Sequence, residues 1–188
     1  MKIILFGGSG QIGFELQRSL AYLGKVFAPN RSELDLIDKI AVKSFLDKIS
    51  PNLIINAAAW TDVNAAEKNK IIARRINVDF TKQISDYSYI NNIKLIHYST
   101  DYVYSGIGVY PWNENSPTEP LNFYGQTKLA GDDAIKQSGC EYLIFRTSWV
   151  YNAFGNNFMK KILDLARSKR KIDVVSDHIG APTPARLI

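Results

Sequence analysis

The sequence predicts an α/β protein whose parallel sheet is doubly wound, with helices on both faces. Short apolar runs such as Ile3-Ile4-Leu5-Phe6 and Leu53-Ile54-Ile55 are bounded by Gly, Pro or Asn, as strands buried on both sides are. Between the runs, apolar residues recur at helical spacing. The first run also enters a glycine turn that opens a helix, which marks the fold as Rossmann-like.

Taken in order, residues 2–6 form the first strand, and Gly7-Gly8-Ser9-Gly10-Gln11-Ile12-Gly13 the turn. Ile12, Leu16, Leu20 and Leu23 then continue at helical spacing. Gly7, Gly10 and Gly13 are spaced GxxGxxG, which suits a tight turn, a backbone close to a diphosphate, and close helix–strand packing. Val26-Phe27-Ala28 reads as the second strand, ending at Asn30-Arg31, where NAD-selective sites place an acid. An amide beside a guanidinium accommodates a 2′-phosphate and points to NADPH. Asp38 caps the next helix and Pro51 stops it. The third strand ends in Ala57-Ala58-Ala59, small enough either for a ligand to lie on the backbone or for tight packing. Residues 63–90 read as mostly helical, with Ala73, Ile76, Phe80 and Ile84 on one stripe and Asn77 as a surface asparagine, or else a polar anchor near the site. Lys94-Leu95-Ile96-His97-Tyr98 forms the fourth strand; His97 points into the fold, and Ser99-Thr100-Asp101 lies at the carboxyl end, where such sheets bind ligands. Residues 106–123 form a long loop of the kind that serves as a lid. A strand over Leu143-Ile144-Phe145, a helix over 158–166 and a short strand at Asp173-Val174-Val175 complete the reading.

The 188 residues suffice for one good core, and 46% apolar content is that of a globular chain. The net charge of +5 comes from scattered Lys and Arg without a nucleic-acid motif, so it suits an anionic small ligand and no nucleic acid is expected as partner. The single Cys140 reads as buried filler, and the two distant histidines give no metal site. The apolar start is too short for a signal peptide or a membrane span, so no membrane association is expected, and the chain reads as soluble and cytoplasmic.

Tyr124 and Lys128 lie four residues apart, hence on one face of a helix. An ammonium near a phenol favours the phenolate, so Lys128 is expected to lower the Tyr124 pKa toward a value useful for proton transfer.

Six stretches together resemble the extended short-chain dehydrogenase/reductases: GGSGQIG from Gly7, NAAAWTDV from Asn56, HYSTDYVYSG from His97, PLNFYGQTKLAG from Pro120, RTSWVY from Arg146 and GAPT from Gly180. Within them the chain resembles the branch that reduces a dTDP-4-dehydro-6-deoxy sugar at C4 to dTDP-L-rhamnose. The resemblance implies that Thr100, Tyr124 and Lys128 are catalytic. Gly10, Gln11 and Ile12 would hold the diphosphate, Asn30 and Arg31 the adenosine ribose, and Asp35 and Leu36 the adenine. Ala59, Trp60, Thr61 and Tyr98 would line the cofactor, and Thr100, Asp101 and Trp149 would meet a dTDP-sugar substrate. The expected cofactor is NADPH, with NADH as the alternative because acidic residues replace Asn30 in relatives that accept it. A homodimer is compatible with the family.

Dehydratases of this frame carry Asp-Glu after the threonine, whereas here Asp101 is followed by Tyr102, which favours reduction. An epimerase of the same family, and a non-catalytic NADP-binding subunit like the β-subunit of methionine adenosyltransferase, remain the alternatives. Family members continue well beyond Ile188. The resemblance therefore divides the chain into a cofactor domain with the catalytic residues at 1–150 and only the start of a small C-terminal substrate domain at 151–188.

Overall fold

The computed structural model describes residues 1–188. Strands β1 (Lys2–Phe6), β2 (Lys25–Phe27), β3 (Leu53–Asn56), β4 (Lys94–Thr100) and β5 (Tyr142–Thr147) form one sheet in the order β2-β1-β3-β4-β5, with every pair parallel. The register sets Phe6 beside Asn56, Asn56 beside His97 and Thr100 beside Thr147. The carboxyl ends of the strands therefore share one edge. The chain winds outward from β1 to β2 and returns across it to β3, so the topological switch point lies between β1 and β3.

Alternate residues serve opposite faces. Ile4, Phe6, Ile54 and Leu95 pack on α2 (Lys39–Ile49), α5 (Phe80–Ile90) and α6 (Phe123–Ser138) through Val42, Leu46, Phe80, Ile84 and Ile135, with Cys140 in the same core. Each such fully buried apolar side chain contributes about 1.5–3 kcal/mol. Ile3, Leu5, Ile55 and Tyr98 pack on α1 (Gln11–Leu20) through Leu16 and Leu20. Asp38 Oδ1 accepts from the Ile40 and Ala41 amides at 3.0 Å and caps α2. Leu23 lies beyond the end of α1 and is exposed.

Residues 63–90 are helical but interrupted: α3 (Val63–Lys68), α4 (Lys70–Arg74), a π-helical turn (Arg75–Asp79) and then α5. Asn77 sits on the π turn and is buried, contrary to its reading as a surface residue. The reason is the approach of α6, where a Cβ on Gly131 would meet the Asn77 carbonyl oxygen at 2.4 Å.

After β5 the chain forms β6 (Val150–Tyr151) and α7 (Phe158–Ser168), and β6 pairs with β7 (Thr183–Pro184). The strand expected at residues 173–175 does not form. Val174 and Val175 are exposed with no neighbouring strand to complete a ladder, and β propensity alone holds no strand. No helix is long and apolar enough to cross a membrane.

Candidate functional site

A cleft of about 900 Å³ opens along the carboxyl ends of the strands, at the upper end of ordinary small-molecule sites. Its inner wall is the turn between β1 and α1. Gly7 has φ +83°, and a Cβ there would lie 2.6 Å from the Ala57 carbonyl and the Ala58 amide. A Cβ on Gly13 would lie 2.1 Å from the Gly7 carbonyl oxygen, so Gly13 packs α1 against the turn and does not itself line the cleft. Gly10 is the N-cap of α1, and no side chain occupies its free amides. They face the cleft beside Gln11 and Ile12 and offer partial positive charge to an anion.

At one end lie Asn30, Arg31, Asp35 and Leu36. The Asn30 side-chain oxygen is used within its own turn, accepting from the Ser32 amide at 2.9 Å and the Ser32 hydroxyl at 2.6 Å. Arg31 is exposed. Ala57, Ala58, Ala59, Thr61 and Tyr98 line the middle. Trp60 does not reach the cleft. Its amide donates to Asn77 Oδ1 at 2.8 Å and its indole N–H to the Asp62 carbonyl at 3.0 Å, which turns the ring toward Tyr124 from behind.

Tyr124 and Lys128 enter from α6, whose first turn is fixed by Asn122 Oδ1 accepting from the Gly125 amide at 2.8 Å and by Glu67 Oε1 accepting from the Phe123 amide at 2.7 Å. Thr100 stands opposite, at the end of β4, where its hydroxyl accepts from the Tyr102 amide and donates to Asp101 Oδ1, both at 3.2 Å. Asp101 Oδ2 accepts from the Ser148 hydroxyl at 2.8 Å. Trp149 closes the far end with φ +47°, a strained conformation for so bulky a residue, and is 46% exposed.

The expected acidification of Tyr124 by Lys128 is not found. Burial pushes the Tyr124 hydroxyl up to about 12; the Thr100 hydroxyl opposes this, while the charges of Asp101, Tyr102 and Asp132 reinforce it. The Lys128 ammonium is engaged elsewhere. It donates to the Tyr98 carbonyl at 2.7 Å and lies 3.1 Å from His97 Nε2. Burial lowers Lys128 to about 8, with Asp132 acting against the shift. At neutral pH Tyr124 therefore keeps its proton, which is the form a general acid needs.

Asn77 takes the second of its two readings, a polar anchor, and the other participants that follow were not anticipated. Asn77 Nδ2 donates to Thr127 Oγ1 at 3.0 Å and holds α6 in place. Asp132, one turn beyond Lys128, accepts from Ser99 Oγ at 2.9 Å and from Arg146 Nε at 3.4 Å. Asn152 donates to the Gln11 carbonyl at 3.2 Å and Asn157 to Gln11 Oε1 at 2.9 Å, tying the start of α7 to the glycine turn. The available signals were the Asn- and Gly-rich run at residues 152–157 and the i, i+4 spacing of Lys128 and Asp132.

The chain is similar over its whole length to the dTDP-4-dehydrorhamnose reductase of Salmonella typhimurium, at 43% identity, and covers 64% of that protein. A crystal structure of a dTDP-4-dehydrorhamnose reductase from Clostridium acetobutylicum superposes on 99% of the chain with a TM-score of 0.95 at 34% identity, and 66% of that chain is covered. The Bacillus anthracis dTDP-4-dehydrorhamnose reductase, solved in complex with NADP, matches 98% of the chain with a TM-score of 0.93 at 34% identity, again over 66% of its own length. The chain thus spans about 64% of the length of these curated relatives. With the model of the RmlD substrate binding domain matched across residues 1–188, the chain belongs to that family.

Proposed function

We propose that this chain carries the cofactor site and catalytic residues of an NADPH-dependent reductase that converts the C4 keto group of a dTDP-4-dehydro-6-deoxy sugar to the alcohol of dTDP-L-rhamnose. The observation that carries the reading is the convergence of Thr100, Tyr124 and Lys128 on one cleft with the turn from Gly7 to Gly13. That turn fits a dinucleotide: the space a Cβ would fill at Gly7 is already taken by backbone, and the α1 amides are free for a diphosphate. Its relatives' names and the NADP complex support the same assignment.

A bound nicotinamide cofactor supplies the hydride. Tyr124 holds a proton at its hydroxyl and delivers it to the C4 oxygen, and the Thr100 hydroxyl orients the same oxygen. Lys128 supplies positive charge within the cleft. Arg31 meets the 2′-phosphate, and Trp149 and Asp101 meet the sugar. Tyr102 stands edge-on to Tyr124, with ring centroids 5.6 Å apart, where a dehydratase would need a carboxylic acid. Residues 1–150 form the cofactor domain in this reading, and residues 151–188 begin the part that grips the sugar nucleotide.

The test is incubation with dTDP-4-keto-6-deoxy sugar and NADPH or NADH, following the absorbance of the reduced nicotinamide, with cofactor binding measured separately. Oxidation of NADPH that depends on the sugar supports the reading. Tight NADPH binding without turnover, in a chain extended to the length of its relatives, would instead identify a cofactor-binding subunit.

A further inference from the structure

Behind the cleft lies a polar cluster that the proposed chemistry leaves unused: His97 on β4, Asn56 on β3 and Asp132 on α6, all buried, with Arg146 of β5 at its edge. The bond to Asn56 favours one tautomer of the imidazole. Asn56 Oδ1 accepts from the Ala58 amide at 3.1 Å, which turns its Nδ2 toward His97 Nδ1, also at 3.1 Å. His97 Nδ1 must then accept, and in a neutral ring the proton sits on Nε2. Two atoms face that N–H. Lys128 Nζ lies at 3.1 Å, and Asp132 Oδ1 lies at 3.8 Å, buried and without any hydrogen-bond partner. An ammonium has no lone pair, so a charged Lys128 confronts the His97 N–H with one of its own. A neutral amine can accept it.

We propose that His97 is a positioning residue for Lys128: its Nε2–H stabilises the amine once a proton has left Nζ, and turns to Asp132 Oδ1 when Nζ is charged. This deepens the reductase reading and rests on it for the destination of the proton. When Tyr124 has given its proton to the substrate oxygen, an N–H bond of Lys128 breaks, that proton forms the new O–H bond of Tyr124, and the freed lone pair on Nζ accepts the His97 N–H. No bond of the imidazole breaks, and His97 remains neutral throughout. Burial, and after it the charge of Lys128, holds His97 well below its ordinary value, in keeping with a neutral ring.

The charged and titratable groups facing Lys128 are Tyr124 and Asp132 on its own helix, His97 and Tyr98 on β4, Asp101 after β4, and Arg146 across Asp132. Of these, only His97 brings a ring nitrogen within hydrogen-bonding distance of Nζ, at 3.1 Å.

The test uses the 188-residue chain without substrate or cofactor, so its outcome is independent of the turnover assay. Two-bond ¹H–¹⁵N correlation on histidine-labelled protein reports the tautomer, and the ¹³C shift of the Lys128 ε-methylene reports its titration. The expected results are a neutral ring with the proton on Nε2, and in His97→Gln a rise of the Lys128 midpoint by about one pH unit, because the amide can turn an oxygen to Nζ. A proton on Nδ1, a charged ring near neutral pH, or an unmoved Lys128 midpoint in His97→Gln would each overturn the proposal. The tautomer measurement needs no variant, so a His97→Gln chain that fails to fold leaves a decisive reading in place.

Discussion

The two faces of the sheet are built to different degrees. On one, β1, β3 and β4 meet α2, α5 and α6 in a continuous core whose largest members are Phe6 and Phe80, edge-to-face at 5.0 Å. On the other, α1 covers β1 and β3, but along β5 Leu143 is 50% exposed and Phe145 is 37% exposed, stacked only on Tyr98 at 5.5 Å. The amphipathic α7 buries none of its residues. The glycine turn that lines the cleft follows β1 on the covered part, and Trp149 follows β5 on the open part. The difference teaches that the glycine turn and α6 rest on a continuous core, while the end of the cleft at Trp149 rests on half-exposed strand residues.

A matched pair of substitutions tests this first. Phe80→Ala should cost about 3–5 kcal/mol, the usual range for a buried phenylalanine, whereas Phe145→Ala on the open face should cost about 1 kcal/mol or less. Urea unfolding followed by circular dichroism reads both; equal losses would erase the distinction between the faces.

Within the covered part, Tyr124→Phe removes only the hydroxyl from a ring that packs with Ala66 and Ala73. Turnover should fall by about 10²–10⁴-fold, as for other general acids, with NADPH affinity and folding unchanged. Keto-sugar reduction at the parent rate would remove Tyr124 as the proton donor.

That half was also the more legible in sequence. β1, β3 and β4 announce themselves as apolar runs because both their faces are buried, and the glycine turn because its backbone leaves no room for a Cβ. Sequence spacing placed Tyr124 and Lys128 on one helical face, but not what each would touch. The Lys128 ammonium went to the Tyr98 carbonyl, thirty residues back along the chain, with the His97 ring beside it, and burial moved Tyr124 in the direction opposite to expectation. Asn77 was misjudged for a similar reason: a polar residue on a helix looks exposed until Gly131 of another helix closes over it. The failed strand at residues 173–175 shows the converse, apolar residues with no pairing strand on the open side.

Lys128 makes the cost of the finished site measurable. Its folded value of about 8 lies below the ordinary 10.5, so below pH 8 the native state holds a charged amine in a buried place. Between about pH 8 and 10.5 the unfolded chain binds the proton and the native chain does not, so the native state gains stability as pH rises. The gap from 10.5 to about 8, at about 1.4 kcal/mol per pH unit, amounts to about 3 kcal/mol. The stability of the parent relative to Lys128→Met should therefore rise with pH from 7 to 10. Above pH 10 Tyr124, whose value is raised, contributes in the opposite sense. A parent-to-variant difference that stays flat from pH 7 to 10 would show that Lys128 is not shifted by its surroundings.

An effect smaller than those at Phe80, Tyr124 and Lys128 is expected at the exposed mouth of the cleft, at Arg31. Its neighbour Asn30 spends its side-chain oxygen on the Ser32 amide and hydroxyl, and its own amide donates to Glu33 Oε2 at 2.9 Å, so the turn from residue 30 to 33 holds its shape without Arg31. Arg31→Ala should leave folding unchanged and remove one cation from the adenosine end. A charge-assisted hydrogen bond to a phosphate contributes about 1.5–3 kcal/mol, less where solvent screens it. We expect NADPH to bind about tenfold more weakly and NADH with little change, read by titration of the reduced nicotinamide fluorescence. Added salt should narrow the difference, because the pair is exposed. Equal weakening of both cofactors would assign Arg31 to the shape of the turn, and with it the preference for NADPH would lose its cation.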